Sequence, residues 1–324
     1  MDANTLRAFS QCLLRLSVVA ESASPERLVT EALGILRGLI PFHAAWWGEC
    51  AMDGQGAGLR NWVHGCIDLP LGFAQEWAHV AAEDEFAHES VGQLGMVVRA
   101  QDDEPPGSPI WHFVQRHGLH HAMAITEEMP ENGPPFFLVL YRSRPSSGFS
   151  DLEALCFEAF SRHLLHHWHR RIERQVQASR LRSAAAFGLL DGQGRLLYLG
   201  RRLGALLQRQ HPDWRGGLLP PRLGARLHGV AQSQVLGRHR LMLQPFGDLT
   251  TLTLEAEAQA LSLSPREQRT AQLYAQGRSA KEIARELGLT PATVRTYLRQ
   301  AYQVLGVHNK VELGTVLSAS QSGA

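Results

Sequence analysis

The stretch SPREQRTAQLYAQGRSAKEIARELGLTPATVRTYLRQAYQVLGVHNKVE, residues 264–312, decides the architecture of the C-terminal end of this chain. Ser264 and Glu267, Ser279 and Glu282, and Asn309 and Glu312 each have the spacing of a capping box. There a small oxygen side chain accepts an orphan helix N–H and the acid reaches back to the cap's own N–H. Thr290 followed by Pro291 is a fourth start, an N-cap with proline at the first helical position, where a missing N–H costs nothing. Gly277, Gly288 and Gly306 fall where the preceding helices should stop, because glycine tolerates the left-handed conformation that closes a helix. The pattern predicts helices near 265–276, 280–287, 291–305 and 310–318. Only Gly288, Leu289 and Thr290 separate the second from the third, the turn length of a helix-turn-helix.

The third predicted helix sorts its residues by face. Val294, Leu298, Ala301 and Leu305 recur at three- and four-residue spacing and should meet Ile283, Ala284 and Leu287 in a small core. Arg295, Thr296 and Arg299 lie on another stripe and point outward. Two arginines in the N-terminal half of such a helix can donate bidentate hydrogen bonds to guanine edges in the major groove of double-stranded DNA. Lys281, Thr290, Thr293 and Tyr297 flank the stripe and suit phosphate oxygens, which fix register without reading sequence. Charge leans the same way. From residue 261 onward there are eight Lys and Arg against four Glu and no Asp, whereas the whole chain carries a net charge of only +1. A basic segment on a faintly acidic body localises DNA affinity at this end.

These residues carry a family resemblance. Leu263-Ser264-Pro265-Arg266-Glu267, Gly277-Arg278-Ser279-Ala280-Lys281-Glu282-Ile283-Ala284, Thr293-Val294-Arg295-Thr296-Tyr297 and Leu305-Gly306-Val307 resemble the LuxR-type (GerE-like) helix-turn-helix of bacterial transcription regulators. The resemblance implies that the helix starting at 291 enters the major groove and that a last helix, around Val311, Leu313 and Val316, helps two copies dimerise. Ala280 stands where the family commonly has Asn, which leaves the Lys281 phosphate contact less buttressed.

At 324 residues the chain is long enough for two or three domains, and 44% hydrophobic residues suffice for real cores. No apolar run reaches transmembrane length, and Met1 to Val19 reads as an amphipathic helix with Arg7 and Arg15 inside it, so a cytoplasmic location and no membrane partner are expected. Cys12, Cys50, Cys66 and Cys156 are scattered, which argues for buried thiols over a disulfide framework or a zinc site. His163 and His167, four apart on a helix, flank or oppose an apolar stripe as surface residues do, and neither metal nor cofactor is expected.

Residues 1–150 mix helix and strand. Pro25 to Leu39 reads as a helix, His43 to Cys50 and Leu59 to Cys66 as strands around the turn Asp53 to Gly58, and Ala74 to Ala82 and Ser108 to Gly118 as helices. Ala122 to Glu127 and Pro135 to Arg142 read as strands around Glu131-Asn132-Gly133. This order resembles GAF-like sensor domains and, more distantly, the autoinducer-binding domains that precede LuxR-type heads. It implies an antiparallel sheet flanked by helices with a small-molecule pocket on one face. Trp46, Trp47, Trp62, Trp77 and Trp111, with Phe137, are the expected aromatic walls. Trp46 and Trp47 are adjacent on one strand, so only one of them is expected to face inward.

A connecting helix fills 151–180. Its stripe Phe157, Phe160, Leu164, Trp168, Ile172 and Val176 makes Leu164, Trp168 and Ile172 a candidate dimer seam, with simple packing the other reading. Residues 181–256 hold two hairpins, Phe187 to Leu190 with Leu196 to Leu199 around Asp191-Gly192-Gln193-Gly194, and His239 to Gln244 with Leu249 to Leu254. They resemble a shortened, degenerate PAS domain with a structural role. Residues 260–324 are the DNA-binding head.

The expected fold is therefore multidomain: an α+β GAF-like domain, a small α+β PAS-like domain and an all-α four-helix LuxR-type helix-turn-helix domain. The expected function is a homodimeric, ligand-responsive DNA-binding transcription regulator, with RNA polymerase as a further partner. The second reading is a constitutive regulator whose N-terminal domains only dimerise. A phosphorylation-switched receiver is disfavoured because Asp102-Asp103 sits in a proline-rich loop. An enzyme is disfavoured because no nucleophile elbow, metal-ligand run or phosphate-cradling glycine loop is present.

Overall fold

Asp2 opens the first helix, α1 (Ala3–Ser22), by accepting the N–H groups of Asn4 and Thr5 at 2.8 and 2.9 Å, and α2 (Pro25–Arg37) follows with proline at its first turn. The computed structural model describes residues 2–52, 59–101, 106–129, 133–179, 181, 183–224, 231–236, 239–256, 265–305, 307, 310, 312–314 and 317. The turns expected at 53–58 and at Glu131-Asn132, and Asp102-Asp103, lie outside them. The chain divides into two compact units, Met1–Leu236 with Leu241–Leu254, and Gly237–Arg240 with Glu255–Ala324.

In the first unit β1 (Ala44–Met52), β2 (Leu59–Ile67), β3 (Val97–Gln101), β4 (His121–Glu127) and β5 (Phe136–Arg142) form an antiparallel sheet of order β2-β1-β5-β4-β3. This is the helix-flanked antiparallel sheet that the GAF-like resemblance implies. Residues of α1, α2 and α6 (Asp151–Ala178) share one apolar cluster with one face of the sheet. Residues of α3 (Phe73–Val80), α4 (Glu85–Gly92) and α5 (Pro109–His117) share another with the opposite face. Strand β5 shows the consequence. All seven of its residues are buried, Phe136, Leu138 and Leu140 in the first cluster and Phe137, Val139 and Tyr141 in the second.

Two expectations are corrected by this double covering. Trp46 and Trp47 point to opposite faces, as neighbours on a strand must, yet both are buried because helices cover both faces. Leu164, Trp168 and Ile172, expected as a dimer seam, are at most 2% exposed and packed in the cluster shared with α1 and α2. The α6 stripe is real, but its own chain fills it. Its start is the capping box of Ser150 and Glu153, with the Arg142 guanidinium clamped on the same carboxylate. The helix α4 and the strand β3 were not anticipated, being short and without clear periodicity.

A second sheet is built from β6 (Phe187–Leu190), β7 (Leu196–Leu199), β8 (Gln232–Leu236), β9 (His239–Phe246) and β10 (Leu249–Ala256), in the order β7-β6-β10-β9-β8. Counted from its own first strand, this is the order of the first sheet. Helix α7 (Arg201–Gln210) follows β7, and a single turn, α8 (Pro221–Gly224), precedes β8. The β6–β7 turn is held by the Asp191 carboxylate, which accepts the N–H groups of Gln193 and Arg195 at 2.9 Å each.

The two sheets meet through their edge strands, β2 and β7. Gly217 donates its N–H to the Trp62 carbonyl at 2.9 Å and accepts the Leu196 N–H at 2.8 Å, so residues 216–218 are stitched between the strands. Gly216 and Gly217 both have positive φ, and a Cβ on Gly216 would collide with the Asn61 carbonyl. The Trp62 ring sits in a notch at Gly204, where a Cβ would strike it. Beside it the fully buried Glu49 accepts the Leu199 N–H at 2.9 Å. An edge covered this way is closed to pairing with other chains.

In the second unit α9 (Pro265–Ala275), α10 (Ala280–Leu287) and α11 (Pro291–Leu305) are followed by helical residues at 310, 312–314 and 317. Ser264, Gly306, Asn309, Val311 and Val316 lie outside the described residues. Leu313, expected at a dimer contact, is instead fully buried with Ala271, Ala301 and Val307 in the unit's own core. Among the described residues of the whole chain, no helix is long and apolar enough to cross a membrane.

Candidate functional site

Local hydrogen bonds build the C-terminal site. Ser279 and Glu282 complete the reciprocal capping box at the start of α10, with Ser279 N–H to Glu282 at 2.7 Å and Glu282 N–H to Ser279 Oγ at 3.4 Å. The helix ends at Gly288, whose φ of 65° lets the Gly288 and Leu289 N–H groups return to the Ala284 carbonyl. Thr290 caps α11, its hydroxyl accepting the Thr293 N–H at 3.1 Å. Ile283 and Ala284 of α10 then pack on Leu273, Val294 and Leu298. Ser279→Ala should cost about 1 kcal/mol, read as roughly fivefold faster amide exchange in the first turn of α10; unchanged exchange would remove the cap from the account.

With that core inward, Arg295, Thr296 and Arg299 are exposed on α11, and Lys281 is exposed at the start of α10. Among the described residues none of these three cations enters an ion pair, while nearby Arg269 and Glu286 pair at 3.4 Å. Thr293 and Tyr297 are half-buried beside the stripe, and the exposed Thr296 hydroxyl turns back to the Ala292 carbonyl at 3.2 Å. Thr290 stands exposed with its hydroxyl engaged as the cap, leaving less of it for a phosphate than the sequence implies.

The N-terminal sheet holds a second candidate site, a small cavity between the sheet and α3 and α4. Of the six expected aromatic residues it brings together Trp46, Trp77 and Phe137. Trp46 is central, with Phe73, Trp77 and Phe137 edge-on to it at centroid distances of 5.1, 5.1 and 5.0 Å. The other three lie elsewhere. Trp47 faces the opposite cluster, Trp62 belongs to the core of the second sheet, and Trp111 is half-exposed on α5 against His112.

Polar residues unnoticed in the sequence complete the cavity. Asp84 caps α4 through the Ala87 N–H at 2.9 Å and accepts the Trp77 indole N–H at 2.7 Å. Burial raises its carboxyl pKa against the pull of those two bonds. Ser90 and Thr126 share a hydroxyl hydrogen bond at 2.7 Å, and burial pushes the Tyr141 phenol well up. The buried Asn61 amide nitrogen has no hydrogen-bond partner. Burial takes the Cys50 thiol up to about 12, so it contributes to the wall as an inert thiol. The carboxylate at the Asp84 cap was the one signal available, an acid at a helix start seven residues after a tryptophan.

Two helices at a three-residue turn, with exposed arginines on the outer face of the second, define the second unit as a helix-turn-helix domain. Residues 261–317 match the family model described as bacterial regulatory proteins, luxR family, so the unit is a LuxR-type helix-turn-helix domain. Similar curated relatives include the two-component response regulator PprB of Pseudomonas aeruginosa, 41% identical over 64 residues, 19% of this chain and 23% of that protein. The transcriptional regulatory protein UhpA of Escherichia coli is 49% identical over 51 residues, 16% of this chain and 26% of its own. The chain thus spans about a quarter of the length of these relatives.

Solved structures similar to the chain include Escherichia coli SdiA, with 12% identity, a TM-score of 0.42 and coverage of 97% of this chain and 98% of that one. Another is the N-acylhomoserine lactone dependent LuxR family transcription factor CepR2 from Burkholderia cenocepacia, with 15% identity, a TM-score of 0.40 and coverage of 54% and 98%.

Proposed function

We propose that this chain is a DNA-binding transcription regulator, working as a homodimer, whose operator binding is tuned by a small molecule held in the cavity of the N-terminal sheet. One observation carries the DNA-binding half: Arg295 and Arg299, exposed and without an ion pair among the described residues, on a helix whose opposite face is locked into a core. Such a helix can enter the major groove with its arginines toward guanine edges, while Lys281, Thr290, Thr293 and Tyr297 meet phosphates. Lys281→Ala is then expected to weaken binding to every duplex alike and to lower the salt dependence of affinity by about one unit of slope. A loss confined to one sequence, seen in titrations at several salt concentrations, would make Lys281 a base reader instead.

The sensing half is supported by the cavity walls. Trp46 and Phe137 suit an apolar body, and the unpartnered Asn61 amide can donate to a carbonyl or hydroxyl oxygen. A ligand alters operator binding only by favouring one arrangement of the dimer over another. Native mass spectrometry of the protein purified from its host tests this: a retained small molecule, lost in Asn61→Leu, is the expected result. An empty protein whose operator binding ignores metabolite extracts would leave the constitutive regulator as the better reading.

A further inference from the structure

Where the two sheets meet, a solvent-open groove runs between α2, the β1–β2 edge, α6 and the start of β7. Trp47, Phe136 and Trp168 line this groove and not the first cavity. Trp47 lies against Gly65, its cross-strand partner, where a Cβ would come within 2.5 Å of the ring. Phe136 and Trp168 are paired with centroids 6.4 Å apart. Trp168 is 2% exposed, and its indole N–H has no hydrogen-bond partner among the described residues. A buried donor left unpaired is uncommon in folded proteins and marks a place where something else supplies the acceptor. His64, beside Gly217 on the same groove, has its pKa lowered by burial and so presents a neutral ring at pH 7.

We propose that this groove is a second small-molecule site, for an uncharged planar aromatic or heteroaromatic compound carrying a hydrogen-bond acceptor. The flatness follows from the walls, since indole and phenyl rings favour stacked or edge-on aromatic partners. The acceptor follows from the Trp168 N–H. An anionic compound is disfavoured because both arginines of the lining are already paired, Arg27 with Glu31 at 2.9 Å and Arg195 with Asp191 at 3.0 Å, while Glu26 enters no ion pair among the described residues. Because Gly217 and Leu197 of the groove belong to the second sheet's side of the junction, an occupant touches both sheets at once. The groove shares Trp46 with the cavity proposed for sensing but no other lining residue, so Trp77, which lines that cavity alone, tells the two sites apart.

Coumarin, a flat uncharged ring system with a carbonyl acceptor, is a suitable probe on the full chain labelled with ¹⁵N at its tryptophan indoles. Titration should move the Trp168 indole signal saturably while the Trp77 signal, from the other cavity, holds still. Trp168→Phe keeps the aromatic wall and removes the donor, and is expected to weaken binding about fivefold to tenfold, the worth of one ordinary hydrogen bond. The assignment is overturned if the Trp168 signal is unmoved at millimolar coumarin, if the Trp77 signal shifts in its place, or if Trp168→Phe binds as tightly as the natural protein.

Discussion

Replacing Arg295 and Arg299 together with alanine is expected to weaken binding to a selected operator by about a hundredfold or more, while affinity for scrambled duplex falls far less. Each bidentate arginine–guanine contact discriminates by roughly 1–3 kcal/mol, and about 1.4 kcal/mol is a tenfold change. Both side chains are exposed and unpaired among the described residues, so their removal breaks no internal contact that would confuse the reading. The packing under them, Val294 and Leu298 on Ile283 and Ala284, is untouched. Fluorescence anisotropy with the two duplexes at fixed salt separates the outcomes. Equal losses on both would turn the arginines into phosphate clamps and move the base-reading face elsewhere on α11.

That prediction is available because the C-terminal unit is written in local rules. Ser279 with Glu282, Gly288 and Thr290 each act within four residues along the chain, so spacing alone places them. The facing of α11 follows from helical period in the same way. The N-terminal unit obeys longer-range logic. Its strands were legible as apolar runs, but β5 is buried on both sides, so it reads as a continuous run and not as the alternation that would have fixed its inner face. For the same reason Trp46 and Trp47 could not both be placed from sequence. The α6 stripe announced burial without saying against what, since an apolar stripe has one pattern whether its own chain or a second copy covers it.

The cavity was the least legible part. Asn61, Asp84, Ser90, Thr126 and Tyr141 come from four elements, β2, α4 with its cap, β4 and β5, and converge only once β1, β2, β4 and β5 have paired. Tryptophan count raised the prospect of a pocket, yet of the six expected aromatic residues Trp47 and Trp62 serve other cores and Trp111 is half-exposed on α5. Trp62 is the clearest case. It shares β2 with Asn61, but adjacent residues on a strand face opposite ways, so Asn61 looks into the cavity while Trp62 enters the core of the second sheet. Strand β2 is therefore a wall common to both regions, and Gly216 and Gly217 could be recognised as its cover only after the stitch was seen.

Glu49→Gln is expected to stabilise the protein at neutral and alkaline pH and to leave it little changed near pH 5. Glu49 is fully buried at the junction of the sheets, where one carboxyl oxygen accepts the Leu199 N–H and the other has no partner. Burial raises its pKa well above the ordinary 4.5, against the smaller opposing effect of the Leu199 bond. The folded chain therefore keeps the proton at pH values where the unfolded chain has released it. Its favourable contribution is complete below the unfolded pKa and is lost as pH rises toward the folded one, at about 1.4 kcal/mol per pH unit. Glutamine keeps a carbonyl for the Leu199 N–H and has no proton to lose, so its advantage over the natural residue should widen with pH. Glu49→Met, which removes the acceptor, should show the same flat pH response at lower stability, because it orphans a buried N–H. Urea unfolding followed by tryptophan fluorescence from pH 5 to pH 8 reads all three proteins. A stability difference between the natural protein and Glu49→Gln that stays constant across that range would mean that the carboxyl is ionised in the folded protein, and that the two sheets are joined by a charge and not by a neutral acid.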